Sequence, residues 1–290
     1  MRIFVTGGTG FIGANLLPLL SDHELMCLSR GAASSFFGEK IRYVGGDLGN
    51  PSQWIEQVIA WQPEWCIHLA WQGLPDYSLS SCVTNVSQSL GLLEVLAKTN
   101  VERIVVAGSC WEYGNANGPV LENAQSQDPV GVFAAGKNAI RAMFEAFGKA
   151  NGIEIRWARL FFVYGPGQRK TSLIPLCHDA YSRGKTPIIK EPFTQQDFVY
   201  IDDAALGLFS LLCNATAGSG IFNIGSGKPI FVADVVNHIA RSFRRTPPYP
   251  ESIKGSGFWA NPERMSNATG WRPQVEMLTG IDKTIAWLGR

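Results

Sequence analysis

The sequence predicts a doubly wound parallel α/β sheet with a smaller C-terminal α/β lobe. Three observations carry this reading. Up to about residue 160, short apolar runs alternate with amphipathic stretches of helical period; a glycine-rich turn joins the first run to the first helical stretch; beyond residue 160 the segments shorten and gain Pro and Gly. The 290 residues exceed the usual single-domain size, so one large domain or a main domain with an added lobe is expected.

In chain order, the apolar run Arg2–Val5 is the first strand, and Phe11–Leu20 is the first helix after the glycine turn. Leu25–Leu28 and Arg42–Val44 read as the next strands, followed by a helix over Ser52–Trp61. Trp65–Leu69 is a fourth strand, Val83–Thr99 a helix, Arg103–Ala107 a fifth strand, Phe133–Asn151 a helix and Glu154–Leu160 a sixth strand. Alternation of this kind suits a parallel sheet covered on both faces. Residues 1–165 are assigned to the sheet domain and 166–290 to the smaller lobe, with parts of 195–225 returning to the first.

Composition limits the function classes. Hydrophobic residues make up 46% of the chain and the net charge is +1, so core material is ample and no basic stripe points to a nucleic-acid partner. The cluster Arg241, Arg244 and Arg245 is short and reads as a solvated helix end. No apolar run reaches the ~20 residues that span a bilayer, and the start "MRIFVTGG" runs directly into a strand, without the pattern of an export signal. The six cysteines (Cys27, Cys66, Cys82, Cys110, Cys177 and Cys213) are scattered without C-x-x-C spacing, as expected of reduced thiols in a cytoplasmic protein.

The sharpest local signal is "VTGGTGFIG", in which Gly7, Gly10 and Gly13 stand three apart between a strand and a helix. Gly7 permits the tight turn, Gly10 lets backbone approach a pyrophosphate, and Gly13 lets helix and strand pack closely. Phe11 and Ile12 open the helix whose free N–H groups and positive dipole end would receive the pyrophosphate. A dinucleotide site follows. At the end of the second strand, Ser29 and Arg30 stand where an acidic residue would bind ribose hydroxyls and repel a 2′-phosphate. A hydroxyl and a guanidinium favour NADP over NAD. "GGDLGN" places Asp47, with Leu48 beside it, to accept a bond from the adenine amino group, and "HLAW" brings Leu69 and Ala70 beside the cofactor.

"TGGTGFIG", "GGDL", "HLAW", "GSCWEYG", "VYGPGQ", "DFVYIDD", "FNIGSG" and "GWRPQVEMLTGI" occur in that order along nearly the whole chain. Together they resemble the NAD-dependent epimerase/dehydratase family of extended short-chain dehydrogenases/reductases. The resemblance implies a Rossmann domain holding NAD(P), a C-terminal substrate lobe, and oxidation or reduction of a carbon in a nucleotide-linked sugar, followed in many members by epimerisation or elimination.

The family's catalytic set is a Ser or Thr at the end of the fifth strand, then a Tyr and a Lys four residues apart on the next helix. A phenol near an ammonium is acidified enough to exchange a proton with a sugar hydroxyl. Here Ser109 matches the serine and Lys137 the lysine, which also bonds the nicotinamide ribose, but Phe133 takes the tyrosine position in "FAAGK". The flanking "DPVGVFAAGKNAIRAMFEAF" fits the family on both sides. Phenylalanine cannot donate a proton, so a step worth ~10²–10⁴ in rate is missing. An engineered substitution, a natural replacement by another acid/base residue, and abandoned catalysis all stay open.

Neighbouring positions bear on the choice. Dehydrating members carry an Asp–Glu pair after the serine; Cys110 and Trp111 stand there, which argues against a 4,6-dehydratase. Phe162 replaces an Asn before "VYG", and Gln196 replaces an Arg before the Asp–Phe pair, so two diphosphate contacts are lost. Arg169, Lys170 and Lys190 are candidates to hold the substrate instead. Cys110 is the possible substitute acid/base, with Glu112 and Tyr113 nearby, and Glu112 equally a rim carboxylate. His68 reads as a satisfied strand histidine, while His178 and His238 lie on predicted helices without identifiable partners. Trp71 and Trp111 follow strand ends bordering the nicotinamide side and are expected to narrow the substrate pocket.

Two functions therefore stand side by side: an NADP-preferring epimerase or ketoreductase of nucleotide-linked sugars, and an NAD(P)-binding protein with weak or lost catalysis acting as sensor or partner subunit. By analogy with family dimers, the helices Val83–Thr99 and Phe133–Asn151 suggest a homodimer. No metal site is expected.

Overall fold

Ile3, Phe4 and Val5 are all fully buried yet belong to two different cores, because successive side chains of a strand point to opposite faces. That arrangement requires cover on both sides of the sheet, and the computed structural model shows it. It describes residues 1–31, 41–124, 131–251 and 254–290.

Seven strands form a parallel sheet: β1 (Arg2–Thr6), β2 (Glu24–Ser29), β3 (Ile41–Gly45), β4 (Trp65–His68), β5 (Arg103–Ser109), β7 (Glu154–Leu160) and β10 (Gly220–Ile224). Their order is β10-β7-β5-β4-β1-β2-β3, so the chain reverses direction across the sheet between β1 and β4. In doubly wound sheets that reversal opens a crevice outside the carboxyl ends of the strands.

One face is covered by α1 (Phe11–Leu16) and α6 (Ile201–Cys213), whose Leu16, Leu208 and Leu211 pack with Ile3, Val5 and Val105. The other is covered by α2 (Ile55–Trp61), α3 (Leu79–Leu96) and α4 (Gly131–Asn151), which bring Val58, Leu92 and Phe144 onto Phe4, Met26 and Ile104.

The expected elements are present with shifted ends. Pro18 falls at the start of a 3-10 turn over Leu17–Leu20, so the helix read as Phe11–Leu20 is α-helical only to Leu16. The helix read from Val83 begins at Leu79, because the Ser78 hydroxyl caps it by accepting from Ser81 N at 3.3 Å, and it ends at Leu96 rather than Thr99. β5 runs on to Ser109, and β4 stops at His68, leaving Leu69 and Ala70 in the following loop.

A smaller sheet of β8 (Phe162–Tyr164), β9 (Gln195–Tyr200) and β11 (Pro229–Phe231) packs with α5 (Leu173–Ser182), α7 (Val232–Ser242) and α9 (Met277–Leu288) around Tyr164, Ile174, Val236 and Ile281. Between β9 and β11 the chain returns to the large sheet as α6 and β10. A short parallel pair, β6 (Gly118–Val120) with β12 (Phe258–Ala260), adds a second tie.

Several of the sequence motifs are locks between these parts. Buried Asp197 of "DFVYIDD" accepts from Ser226 N, Ser226 Oγ, Gly227 N and Ala260 N, stapling β9 to "FNIGSG" and to β12. Asp203 accepts from Val275 N, and its carbonyl takes the Trp271 indole N–H, which ties "IDD" to "GWRPQV". His238 bonds Asp282 at 2.7 Å across α7 and α9, and His178 meets the Phe243 ring edge-on. None of the described helices is long and apolar enough to cross a membrane.

Candidate active site

At the reversal point a cleft of about 310 Å³ opens along the carboxyl ends of β1, β2 and β4. Gly7 and Gly10 line it from the β1 turn, Ser29 and Arg30 from the end of β2, Asp47 and Leu48 from the loop after β3, and Leu69 and Ala70 from the loop after β4. The cleft is thus built from the residues the motifs single out, with Thr6, Thr9, Gln72 and Gln88 added. Those four carry no spacing signal; Gln88 reaches the cleft from α3 and donates to Asp47 Oδ1 at 3.4 Å.

The glycine turn fits a dinucleotide for a reason visible in its geometry. Gly7 adopts φ +74°, and a Cβ there would stand 2.7 Å from Ala70 N and 2.8 Å from Leu69 C, so the loops after β1 and β4 meet without room for a side chain. A Cβ at Gly13 would overlap Gly7 O and the Gly8 backbone, so α1 can enter the turn only with glycine there. The side chains of Phe11 and Ile12 pack on the core of the small lobe, and their backbone N–H groups stand in the first turn of α1, where a helix offers no acceptor of its own. Gly7→Ala should abolish dinucleotide binding and lower the unfolding temperature; calorimetry and nucleotide titration check both, and near wild-type affinity would refute the role.

Asp47 is fixed by accepting from Gly49 N at 2.7 Å, and the Trp54 indole donates to its carbonyl at 2.9 Å. Arg30 extends along the cleft mouth and donates to Gln72 Oε1 at 3.1 Å.

Next to this cleft, α4 presents Phe133 and Lys137 one turn apart, both buried. Lys137 Nζ donates to Ala107 O of β5 at 2.8 Å and lies 4.2 Å from the centre of the Trp71 ring. Burial pulls its amine down to about 8, against the opposing charge of Glu112. Ser109 ends β5, its Oγ accepting from Trp111 N at 3.3 Å. Around Phe133 stands an aromatic cluster: Trp71 at 5.0 Å, Tyr77 at 5.3 Å and Trp111 at 6.2 Å between ring centres, each edge-on to it, with Tyr77 stacked on Trp111 at 5.5 Å. The Trp71 indole N–H is buried with no hydrogen-bond partner among the described residues.

Three candidate substitutes for the phenol need correction. Cys110 is 2% exposed, packed among Tyr113, Val120 and Phe161, and burial with the nearby charges of Asp197 and Glu112 pushes its thiol up, away from the thiolate an acid/base role needs. Glu112 is neither a rim carboxylate nor a base. It is buried, accepts from Ser109 N at 2.7 Å and from Trp157 Nε1 at 2.9 Å, and pairs with Arg159 Nε at 2.9 Å. Tyr113 is spent likewise: its hydroxyl donates to Asn223 Oδ1 at 2.6 Å, its ring lies under the Arg159 guanidinium, and burial raises its pKa to about 12.

His68 is the satisfied strand histidine the sequence suggests, bonded to Thr6 Oγ1 at 2.6 Å and Ser89 Oγ at 3.0 Å. Burial, with the Lys137 charge, pulls it down to about 3.

On the lobe side, Phe162 packs on Phe198 in β8, and Gln196 sits half-buried in β9. Arg169 and Lys170 lie exposed in the loop after β8, and Lys190 is exposed as well. Asp128, Pro129 and Val130, which open the "DPVGVFAAGK" segment, lie outside the described residues. No group of three or more His, Cys, Asp or Glu suited to a metal occurs among the described residues.

Comparison with known proteins agrees with this geometry. UDP-glucuronate 4-epimerase of Thermodesulfobacterium geofontis is 25% identical over 70% of this chain, a match that takes in 64% of that relative's own length. UDP-glucuronate 4-epimerase 2 of Arabidopsis thaliana is 25% identical over 99% of this chain and 75% of its own. Among solved structures, MoeE5 in complex with UDP-glucuronic acid and NAD superimposes with a TM-score of 0.87 at 25% identity, covering 100% of this chain and 99% of that one. The profile of the NAD dependent epimerase/dehydratase family matches residues 3–225, and the chain belongs to that family.

Proposed function

We propose that this protein is an NAD(P)-dependent enzyme that oxidises or reduces a carbon of a nucleotide-linked sugar, as an epimerase or ketoreductase. The observation that carries the reading is the placement of Lys137: a buried amine held at the β5 carbonyl edge, beside the nucleotide cleft and one helical turn from Phe133. The bond to Ala107 O and the Trp71 face do little more than offset the desolvation of the amine, whereas a lysine that orients a ribose and supplies positive charge to a reacting oxygen needs this position.

Gly7, Gly10, Asp47, Leu69 and Ala70 would hold the dinucleotide, with the N–H groups of α1 facing its diphosphate. When bound, the nicotinamide would supply the hydride acceptor or donor. Ser109 would orient the reacting oxygen, and Lys137 would hold the ribose and stabilise charge on that oxygen. Trp71, Trp111, Phe162, Arg169 and Gln196 would meet the substrate. A 4,6-elimination is disfavoured, since Cys110 and Trp111 offer no acid–base pair.

Ser29 and Arg30 support a preference for NADP. Among the described residues the Arg30 guanidinium bonds Gln72 and enters no ion pair, so it is free to meet an anion. Arg30→Asp should reverse the ratio of NADP to NAD dissociation constants by tenfold or more, since one charge-assisted phosphate contact is worth ~1.5–3 kcal/mol; an unchanged ratio would refute the assignment.

We also propose a homodimer through α3 and α4, on which Leu79 (64%), Val83 (57%) and Met143 (51%) remain exposed. Light scattering is expected to give twice the 31.7 kDa chain mass.

The function is tested by incubating the protein with NAD or NADP and UDP-glucuronic acid or UDP-glucose, following absorbance of reduced nicotinamide and product stereochemistry by proton NMR. Turnover or epimerised product is expected. Absence of both, with no binding of either sugar nucleotide at about 1 mM, the upper end of ordinary KM values, would leave nucleotide binding without catalysis as the reading.

A further inference from the structure

Phe133 removes the phenol that α4 would otherwise present to the substrate, and Lys137, the titratable group α4 retains there, is buried with its ammonium bonded to Ala107 O and set on the Trp71 ring, so the hydroxyl acid must come from another element. The neighbourhood leaves few choices. Cys110 is buried with its thiol pushed up, Glu112 is consumed by Arg159 and Trp157, and the Tyr113 hydroxyl is consumed by Asn223. His68 is bonded at both ring nitrogens and pulled down to about 3, and Ser109 alone is too weak an acid.

Tyr77 differs from all of these. It stands in the loop between β4 and α3, 39% exposed, with its ring 5.3 Å from Phe133 and stacked on Trp111 at 5.5 Å. Its hydroxyl makes no hydrogen bond with other described residues, whereas its backbone carbonyl lies near Cys82 Sγ and helps seat the loop on α3. Trp71, which also contacts Phe133, carries the Lys137 ammonium on its face. A single aromatic cluster therefore connects the lysine, the apolar residue at the usual phenol position, and a phenol entering from the opposite wall.

We propose that Tyr77 is the proton donor and acceptor of the active site, supplying from the loop after β4 the hydroxyl that α4 lacks; the proposal rests on the function proposed above. In the reducing direction the Tyr77 O–H bond breaks and its proton forms the new O–H bond on the substrate oxygen. When bound, the reduced nicotinamide would supply the hydride for the new C–H bond, so that the carbonyl would become an alcohol and the nicotinamide would leave oxidised. The phenolate left behind takes a proton from water, which the partial exposure of Tyr77 allows. Oxidation runs the same transfers backwards. Phe133 then acts as the edge-on wall against which the Tyr77 ring is set, and Trp111 as the platform that fixes its plane.

Tyr77→Phe keeps the ring and its stacking and deletes only the hydroxyl. It should lower kcat by ~10²–10⁴ while the dissociation constant for NADP stays within about twofold, because the loss is confined to proton transfer. Adding Phe133→Tyr to Tyr77→Phe should recover at least tenfold of the loss by returning a phenol to the α4 position. A kcat for Tyr77→Phe within threefold of wild type overturns the proposal.

A crystal structure of the wild-type protein with NAD supplies a readout independent of turnover. It should place Tyr77 Oη on the nicotinamide side of the cleft, within hydrogen-bond reach (about 3.2 Å) of the position a substrate oxygen takes against nicotinamide C4; a hydroxyl turned to bulk solvent overturns it. If wild-type protein is silent on both sugar nucleotides, the function proposed above fails on that result, while the crystal structure still decides Tyr77.

Discussion

Glu112→Ala is expected to destabilise the protein by about 3–5 kcal/mol, the range found when one member of a buried ion pair is removed. The carboxylate compensates several groups at once. Arg159 is 4% exposed at its side chain and has Glu112 as its acidic partner at 2.9 Å, the Trp157 indole donates to both carboxylate oxygens at 2.9 Å, and Ser109 N donates at 2.7 Å. Arg141 approaches within 3.8 Å as a further charge.

Deleting the carboxylate leaves a desolvated guanidinium with its carbonyl contact to Glu122 and the Tyr113 face, neither of which cancels its charge. Glu112→Gln keeps the shape and some acceptor capacity, so its cost should be smaller. Urea unfolding at constant slope checks both. A loss for Glu112→Ala below about 1 kcal/mol would mean that water enters and solvates Arg159. Because Ser109 N is one of the donors, kcat should fall along with stability, and more than it falls in Glu112→Gln.

The Glu112 network shows why the fold was more legible in the sequence than the site. Parallel strands covered on both faces announce themselves through local apolar runs, and the glycine turn through spacing within one loop, so β1 to β7 of the large sheet and the dinucleotide cleft follow from short-range signals. β10 is legible only as part of 195–225 returning to the sheet domain and not as a strand, because its pairing sets Gly220 beside Arg156 of β7, a contact between distant segments.

Beyond Ser109 the chain enters a 3-10 turn over Cys110–Tyr113, which rotates each side chain by roughly 120° from the last. Strand alternation therefore ceases to tell which of Cys110, Trp111 and Glu112 faces the cleft. In the event Cys110 and Glu112 go inward, while Trp111 is left to stack with Tyr77. Tyr77 carried no signal because the loop holding it has no period, and only tertiary packing brings it to Phe133.

Lys137→Met is expected to separate function from stability. Burial holds the folded-state amine at about 8, below the ordinary lysine value of 10.5. The unfolded chain therefore binds more protons than the folded one between those values, so stability rises with pH through that window; below about 8 the full cost of burying the charge is present. Methionine has nearly the same length and no charge. It forfeits the bond to Ala107 O and the cation–π contact with Trp71, and it removes the desolvation cost.

The two sides nearly balance, so the apo protein should change by no more than about 1–3 kcal/mol near pH 7, in the stabilising direction if desolvation dominates. The difference from wild type should shift against the variant as pH rises from 8 to 10.5 and the wild-type cost disappears. Turnover should respond in the opposite sense: without a cation beside the reacting oxygen and the ribose, kcat should fall by at least 10²-fold, a loss of transition-state electrostatics of ~3 kcal/mol or more. Thermal melts of the apo protein across pH, set against steady-state rates, resolve the two effects. A lysine present only for packing would lose stability and activity together, and a variant that keeps wild-type kcat would remove Lys137 from the active site altogether.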